Sequence, residues 1–384
     1  MAFFLSALII SSIAYLTATL FLFQGLKHLK TEHRNHVLNL HFSVVIAAHN
    51  EENNIIDCLT SVLNQTIERN RYEVILVNDR STDRTGRRAQ DLLQAHPNLS
   101  IISISQTPPG IAPKKYAVAQ GISLARNEII VFTDADCRVP PTWLEALSAH
   151  FAPDVGLVQG ITNYTYVQGM NKMFFNLQAL DFLSHGVVAA AAIGAHFPLN
   201  SNANNFAFRK AAFDAVGGYG AARGVVSGDD DLLLQRISKS AAWKIRFMTD
   251  FKGAVETFPA FSWKAMFEQR KRWGSKTVHY NFRQVFFLSV IFCFYCLLVA
   301  CFLCCFCRAA LLPVFGCIFL MKLLGECVLM VPGTRIFKRE NLRPFIVPAS
   351  FIQLPLVVCS VISGVFGKFG WKGQTYKRRI NAPR

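Results

Sequence analysis

Hydrophobic and polar residues are arranged along this chain in two rhythms. The first is the long apolar run. FFLSALIISSIAYLTATLFLF, at 3–23, carries no charge, and a helix of that length spans the roughly 30 Å of a bilayer's hydrocarbon. Similar runs return at 285–307, 309–331 and 345–366. The second rhythm fills residues 40–283, where short apolar blocks alternate with segments of helical period. FSVVIAA (42–48), YEVILVN (72–78), SIISI (100–104) and EIIVFT (128–133) read as buried strands. EENNIIDCLTSVLNQ (51–65) places Ile55, Ile56, Leu59, Val62 and Leu63 on one helical face. TDRTGRRAQDLLQAH (82–96) and APKKYAVAQGISLARN (112–127) also read as helices, with Pro113 in a first turn that tolerates its missing N–H. Repeated β-α units of this length predict an α/β domain with a mostly parallel sheet and helices on both faces. FLSHGVVAAAAIGAHF (182–197) is short and rich in small residues, and is expected to be a core or interfacial helix.

The flanks of the first run decide its reading. A cleaved signal peptide wants Lys or Arg ahead of the apolar stretch. Here none precedes it, while Lys27, Lys30 and Arg34 follow. This predicts an anchor with the N-terminus outside and the next domain in the cytoplasm, at the inner or cell membrane if the source is bacterial. The expected division is an anchor at 1–26, a cytoplasmic domain at 40–283, membrane segments at 285–366 and a basic tail at 367–384. Lys322 and Glu326 lie four apart inside the third run, on one helix face, and are expected to pair. Pro348 and Pro355 suggest that the last run is kinked or re-entrant. Three crossings would leave the tail outside, yet it is basic without an acid. One late segment is therefore expected not to cross.

The net charge is +16 and the mean hydropathy +0.29, high for a soluble protein. That balance suits an anionic membrane face or phosphorylated substrates. Nucleic acid is disfavoured, because the positive charge sits beside membrane segments and lacks an interleaved aromatic surface. Nine of the eleven cysteines fall between Cys293 and Cys359, in apolar sequence with no His in the stretch CFYCLLVACFLCCFC. They read as small packing residues. Cys58 and Cys137 belong to the domain expected in a reducing compartment, so no disulfide framework is implied.

In open α/β sheets, ligands bind beyond the carboxyl ends of the strands. Three predicted strands end in polar clusters: AAHNEE, VNDRSTD and TDADC. Asp79 and Asp83 follow the second strand, Asp134 and Asp136 the fourth. A single acid at a strand end is commonly a cap or turn residue, and Asp83 fits that role. Two acid-bearing ends on one rim suggest more. Carboxylates two apart can hold Mg or Mn, shared with substrate phosphates, and such a cation stabilises a leaving diphosphate. Asp229, Asp230 and Asp231 precede apolar positions 232–234 and 237. They offer a general base, or caps for a helix start. Crowding of like charges should raise one pKa.

VVIAAHNEENNI, VNDRSTD, KKYAVAQG, FTDADC, GDDD and QRKRW occur in the order seen in family 2 glycosyltransferases, and residues 40–280 resemble a membrane-anchored member of that family. The resemblance implies the GT-A fold, a Rossmann-like mixed sheet, joined here to transmembrane helices. It implies that Asp79 contacts the nucleotide base, although Asn78 and Arg80 stand where the family's D-D-G-S has Asp and Gly. Ala48 and Glu51 match the loop that lies along the nucleotide. Lys114 or Lys115 would face the phosphates, or simply open a solvated helix. Asp134 and Asp136 match the divalent-cation pair, with Asp136 the direct ligand and Asp134 at the ribose or the metal's shell. Counting back from Arg236, the catalytic Asp falls on Asp230, and a one-residue slip would make it Asp229.

Gln269, Arg272 and Trp273 fit the family's Q-x-x-R-W, with Arg272 for the diphosphate and Trp273 for the acceptor. The same stretch also reads as an interfacial helix, with Phe267 and Trp273 toward lipid and Arg270, Lys271 and Lys276 toward headgroups. Asn204 and Asn205 match the acceptor side, or a turn. The implied activity is inverting transfer from a nucleotide diphosphate sugar to a lipid, lipid-linked or glycan acceptor, through an oxocarbenium-like transition state. Two other readings stay open: a processive polysaccharide synthase, and a catalytically silent nucleotide-sugar-binding membrane protein.

Overall fold

The computed structural model describes residues 1–29, 39–371 and 374–376. Lys30, Arg34 and tail residues 372–373 and 377–384 lie outside the described residues. In chain order the main elements begin with α1 (Ala2–His28), β1 (Phe42–Ala48), α2 (Ile55–Leu63), β2 (Tyr72–Asp79), α3 (Thr85–Gln90), β3 (Leu99–Ile104) and α4 (Pro113–Leu124). There follow β4 (Ile129–Phe132), α5 (Trp143–Ser148), β5 (Val155–Gly160), β6 (Thr162–Tyr164), α6 (Lys172–Gly194), β7 (Phe206–Arg209), α7 (Lys210–Ala215) and α8 (Asp231–Ser240). The last are β8 (Lys244–Met248), β9 (Val255–Thr257), α9 (Trp263–Lys276), α10 (Phe282–Cys305), α11 (Leu312–Ile336) and α12 (Ile346–Phe366). They form two compact units, a helical one (1–31, 169–199, 260–375) and a sheet one (32–168, 200–259, 376–384). This differs from the expected boundary at 283, because α6 and α9 pack with the long helices.

In the sheet unit the strand order is β3-β2-β1-β4-β7-β5-β8. β1 runs parallel to both β2 and β4, and β2 parallel to β3. β7 lies antiparallel between β4 and β5, and β8 is parallel to β5. The four expected strands are all present, in the mostly parallel sheet that the alternation predicts. Successive strand residues point to opposite faces. Phe42, Val44 and Ile46 pack with Cys58, Leu59 and Val62 of α2 in one core. Val45, Ile75 and Val77 pack with Ala117, Val118 and Ile122 of α4 and with Leu233, Leu234 and Ile237 of α8 in the other.

Two helices are shorter than expected. The Glu51 carbonyl accepts from both Asn54 and Ile55, each at 2.9 Å, so α2 starts only at Ile55. After Gln90 the chain continues in i→i−3 turns, Leu92 to Ala89 at 3.2 Å and Leu93 to Gln90 at 3.1 Å, and the α-helix ends there.

Among the described residues, five helices, all in the helical unit, are long and apolar enough to cross a membrane: α1, α6, α10, and those covering Ala309–Ile336 and Glu340–Phe366. α6, which contains the 182–197 stretch, is mostly buried, as a core helix would be. Its small residues have a packing reason. A Cβ at Gly194 would lie 2.1 Å from the Gly25 carbonyl oxygen of α1, and one at Gly25 would lie 2.0 Å from that of Ala191. The two backbones touch, as small residues permit in membrane bundles. α12 is one continuous helix of 21 residues with Pro355 inside it, so the re-entrant alternative gives way. Lys322 is fully buried and pairs with Glu326 at 2.5 Å, as the spacing predicts.

Candidate active site

Adjacent parallel strands deliver their following loops to one rim. Ala48 ends β1 beside Asn78 of β2 and is itself buried. The two loops are joined side chain to backbone. Asn50 Oδ1 accepts from the Thr82 amide (2.8 Å), Thr85 Oγ1 from the Glu51 amide (2.7 Å) and Asp83 Oδ2 from the Glu52 amide (3.1 Å). Glu51 Oε2 accepts from Asn54 Nδ2 at 2.8 Å. Asp83 also takes the Thr85 amide and hydroxyl. Burial alone would raise its carboxyl; the Thr85 bonds outweigh it and hold it below the ordinary range. Asp83 is thus the turn residue that its spacing suggests.

Asp79 ends β2 and is buried. Arg80 grips its carboxylate at both oxygens, Nε to Oδ1 at 2.8 Å and Nη2 to Oδ2 at 3.1 Å. Arg80 has φ +53, the left-handed region where a side chain is strained and Gly is not. That is why a Gly suits this position, and why an Arg here needs its carboxylate partner. The Asp79 carbonyl, which can only accept, takes His49 Nδ1–H at 2.6 Å.

Lys114 sits in the first turn of α4, and its Nζ bridges Asp134 Oδ1 at 2.7 Å and Asp229 Oδ2 at 3.0 Å. Burial alone would lower this amine; the two carboxylates outweigh it and hold it above the ordinary lysine range. Burial alone would raise Asp229; Lys114 and Lys115 outweigh it and hold the carboxyl down. The upward shift expected from crowded acids is therefore reversed at Asp229. Lys115 does not face the rim. It is fully buried and donates to the carbonyls of Val225 (2.6 Å) and Ser227 (3.1 Å). The Ala112 amide donates to the Arg223 carbonyl at 2.8 Å. Together these bonds dock the 223–227 segment on the start of α4, and Gly228, at φ +81, turns the chain into Asp229.

Asp230 caps α8. Its Oδ1 accepts from the Asp231 amide and its Oδ2 from the Ala203 amide, both at 2.7 Å. Asp231 is completely buried and accepts from the Ser201 amide. Asn205 stands in the turn Ala203–Asn205, the second of its two readings. It is fully buried, accepts from Trp143 Nε1 at 2.9 Å, and donates to the carbonyls of Ile161 and Gly253, each at 2.8 Å. Its carboxamide ties Trp143, Ile161 and Gly253 together. Asn204 is half-buried in the turn, its amide bonded to Asn202 Oδ1 at 3.1 Å.

Asp134 and Asp136 are half-buried at the end of β4. Beneath them Cys58 donates to the Asp134 carbonyl at 3.5 Å and Cys137 to Asp136 Oδ1 at 3.6 Å. Burial, then Asp136 and Asp134, pushes both thiols up, so they stay protonated. Among the described residues, no group of three or more His, Cys, Asp and Glu is placed to hold a metal ion.

Gln269, Arg272 and Trp273 stand on α9 in the helical unit, each half-buried. Trp273 meets the rings of Phe182 (5.9 Å) and His185 (5.1 Å). Gln269 Oε1 accepts from Arg270 Nη1 at 2.8 Å. Arg270 and Lys276 are buried, which corrects the expectation that they reach headgroups. Arg270 pairs with Asp181 through Nε at 2.7 Å and lies 4.0 Å from the Trp273 ring centre.

Residues 4–382 match the profile of glycosyl transferase family 21. The chain belongs to that family. Among curated relatives, this family 21 chain is 32% identical over 153 residues to glycosyltransferase AglE of Haloferax volcanii, covering 38% of this chain and 49% of that one. It is 26% identical over 241 residues to a beta-monoglucosyldiacylglycerol synthase of Synechocystis, covering 60% and 46%. The chain thus spans about half the length of these relatives. Among solved structures, the mannosyltransferase PcManGT of Pyrobaculum calidifontis, in complex with GDP-Man and Mn2+, superposes with a TM-score of 0.60 at 16% identity, covering 94% of this chain and 99% of that one. That likeness is one of fold. The resemblance to a family 2-type glycosyltransferase and the GT-A architecture both stand.

Within this family 21 chain, the sequence reading did not single out His49, which looks like an ordinary loop residue until its bond to the Asp79 carbonyl is seen. For Asp231 and Arg270 the sequence named the residue but not its partner, the Ser201 amide and Asp181.

Proposed function

We propose that this chain transfers a sugar, with inversion, from a nucleotide diphosphate sugar to a lipid, lipid-linked or glycan acceptor at a membrane. The observation that carries the reading is the bridge of Lys114 to Asp134 and Asp229, which joins the end of β4 to the start of α8 on one rim. In a glycosyltransferase of family 21, that cluster is suited to a diphosphate and a sugar. The curated lipid glycosyltransferase relative supports a lipid acceptor, as do the apolar helices.

Asp79 lies buried at the β2 end, where a base would meet its carboxylate and Arg80. Lys114 offers its charge to the phosphates. Asp230 takes the acceptor's proton. Two backbone amides already fix its orientation. Asp229 stays ionised beside Lys114 and holds that ammonium at the rim. Arg272 and Trp273 serve the leaving diphosphate and the acceptor. A divalent cation fits Asp134 and Asp136: two half-buried hard-oxygen donors, fewer than a full cage, suit a metal that keeps waters and shares phosphates. Bound there, it would neutralise charge on the departing diphosphate.

We place the sheet unit in the cytoplasm, since the basic Lys27 and His28 close α1 on the side where the chain leaves it for that unit. The test is incubation of membranes carrying the chain with radiolabelled nucleotide sugars and Mn2+, followed by organic extraction and product NMR. Label in a lipid or glycan with inverted anomeric configuration is expected. No transfer from any donor, equally in wild type and Asp230→Asn, would overturn the reading.

A further inference from the structure

The helical unit holds a half-open cavity of about 210 Å³. Most of its wall is apolar, with Leu22, Leu180, Ile291, Leu329 and Leu356 among the lining side chains. An apolar cavity of roughly 150 Å³ stays dry and takes up a hydrocarbon such as benzene. One side of the wall is polar: Tyr295, Glu326, Ser350 and Gln353. These four meet the buried ammonium of Lys322. Its Nζ lies 2.5 Å from Glu326 Oε1, 3.2 Å from the Ser350 carbonyl and 3.2 Å from Gln353 Oε1.

That network fixes the Gln353 amide. Lys322 only donates, so the atom facing it must be the carboxamide oxygen, and Tyr295 Oη also donates to it at 2.9 Å. The Gln353 Nε2 group then points away from the lysine, with no protein acceptor among the described residues. Unmet donors are costly in an apolar bundle. The outer faces of the same helices expose large apolar side chains, among them Ile10, Ile13, Phe286, Leu324 and Val347, so the molecules at hand are lipids.

We infer that this cavity is a binding site for an acyl lipid, with one hydrocarbon chain among the leucines and an ester or amide carbonyl on Gln353 Nε2. The site rests on the membrane reading above and does not require the transfer chemistry. Its occupant is either the acceptor or a resident membrane lipid.

The probe is a diacylglycerol with a photoactivatable diazirine in one acyl chain, supplied in phosphatidylcholine vesicles holding the full chain. Crosslinks, mapped by mass spectrometry, are expected on the cavity walls of α1, α11 and α12, and excess unlabelled diacylglycerol should compete them away. Ala349→Phe, which fills the cavity, should abolish these crosslinks and leave those on lipid-facing positions unchanged. Gln353→Leu removes the Nε2 donor together with the acceptor of Lys322 and Tyr295, and should weaken them by at least the roughly fivefold that one lost hydrogen bond gives; it also serves if Ala349→Phe fails to run as a single species on size exclusion. Labelling confined to outward faces, or wall labelling indifferent to both variants, overturns the site. Added nucleotide sugar and Mn2+ separate the two sources. Recovery of glycosylated probe marks the acceptor. Unmodified probe with intact wall crosslinks marks a resident lipid, and upholds the site even if the proposed transfer fails.

Discussion

Lys114 and Lys115 are neighbours with opposite fates. Successive helical side chains point about 100° apart, so one faces the acids while the other is driven into the fold. The Lys114–Asp229 pair has a pH signature. Asp229 is held low, so its contribution to stability is complete above about pH 4 and is lost as pH falls through the lowered value. Lys114 is held high, so its contribution is complete below about pH 10 and is lost only as pH rises through the raised value. In Lys114→Met, burial is no longer outweighed and Asp229 shifts up, so the loss of melting temperature should be larger at about pH 8 than at about pH 4, where the carboxyl can take a proton; a loss that does not shrink on acidification would contradict the pairing. Asp230→Asn tests the base while its one carboxamide oxygen keeps the helix cap, at the loss of the bond from the Ala203 amide. We expect transfer to fall about 10²–10⁴-fold while calorimetry shows nucleotide-sugar binding retained; full activity would dismiss Asp230. Asn205→Ala strands the Trp143 N–H and two carbonyls, and should cost about 3 kcal/mol in chemical unfolding of the purified chain.

At the scale of elements, helix-on-helix contact explains sequence features that periodicity leaves blank. The alanine and glycine run of α6 exists because α1 crosses it backbone to backbone. Gly25→Leu should separate the two helices, read as loss of the monodisperse species on fluorescence size exclusion. An unchanged profile would show that the crossing is dispensable. The Lys322–Glu326 pair ties α11 to α12 through Ser350 and Gln353. Lys322→Met leaves a buried carboxylate unpaired, which costs about 3–5 kcal/mol, whereas the double change with Glu326→Leu should recover most of it. Thermal unfolding of the three variants decides whether the two residues act as a pair.

For the whole molecule, much was legible from order and period alone. The four strands, the helix positions, the apolar spans and the acid-bearing strand ends all follow from local rules, because side-chain period and turn chemistry are written within a few residues. So is the pairing of Lys322 with Glu326, which lie on one helix face. What only the tertiary structure decided is which group meets which across long separations. It bridged Asp134 and Asp229 through Lys114, buried Lys115 and Asn205, and turned Arg270 inward to Asp181. It also gathered residues of α1, α10, α11 and α12 around one cavity. No local pattern contains these outcomes, since the partner that buries or frees a side chain comes from a distant segment, and only packing selects it.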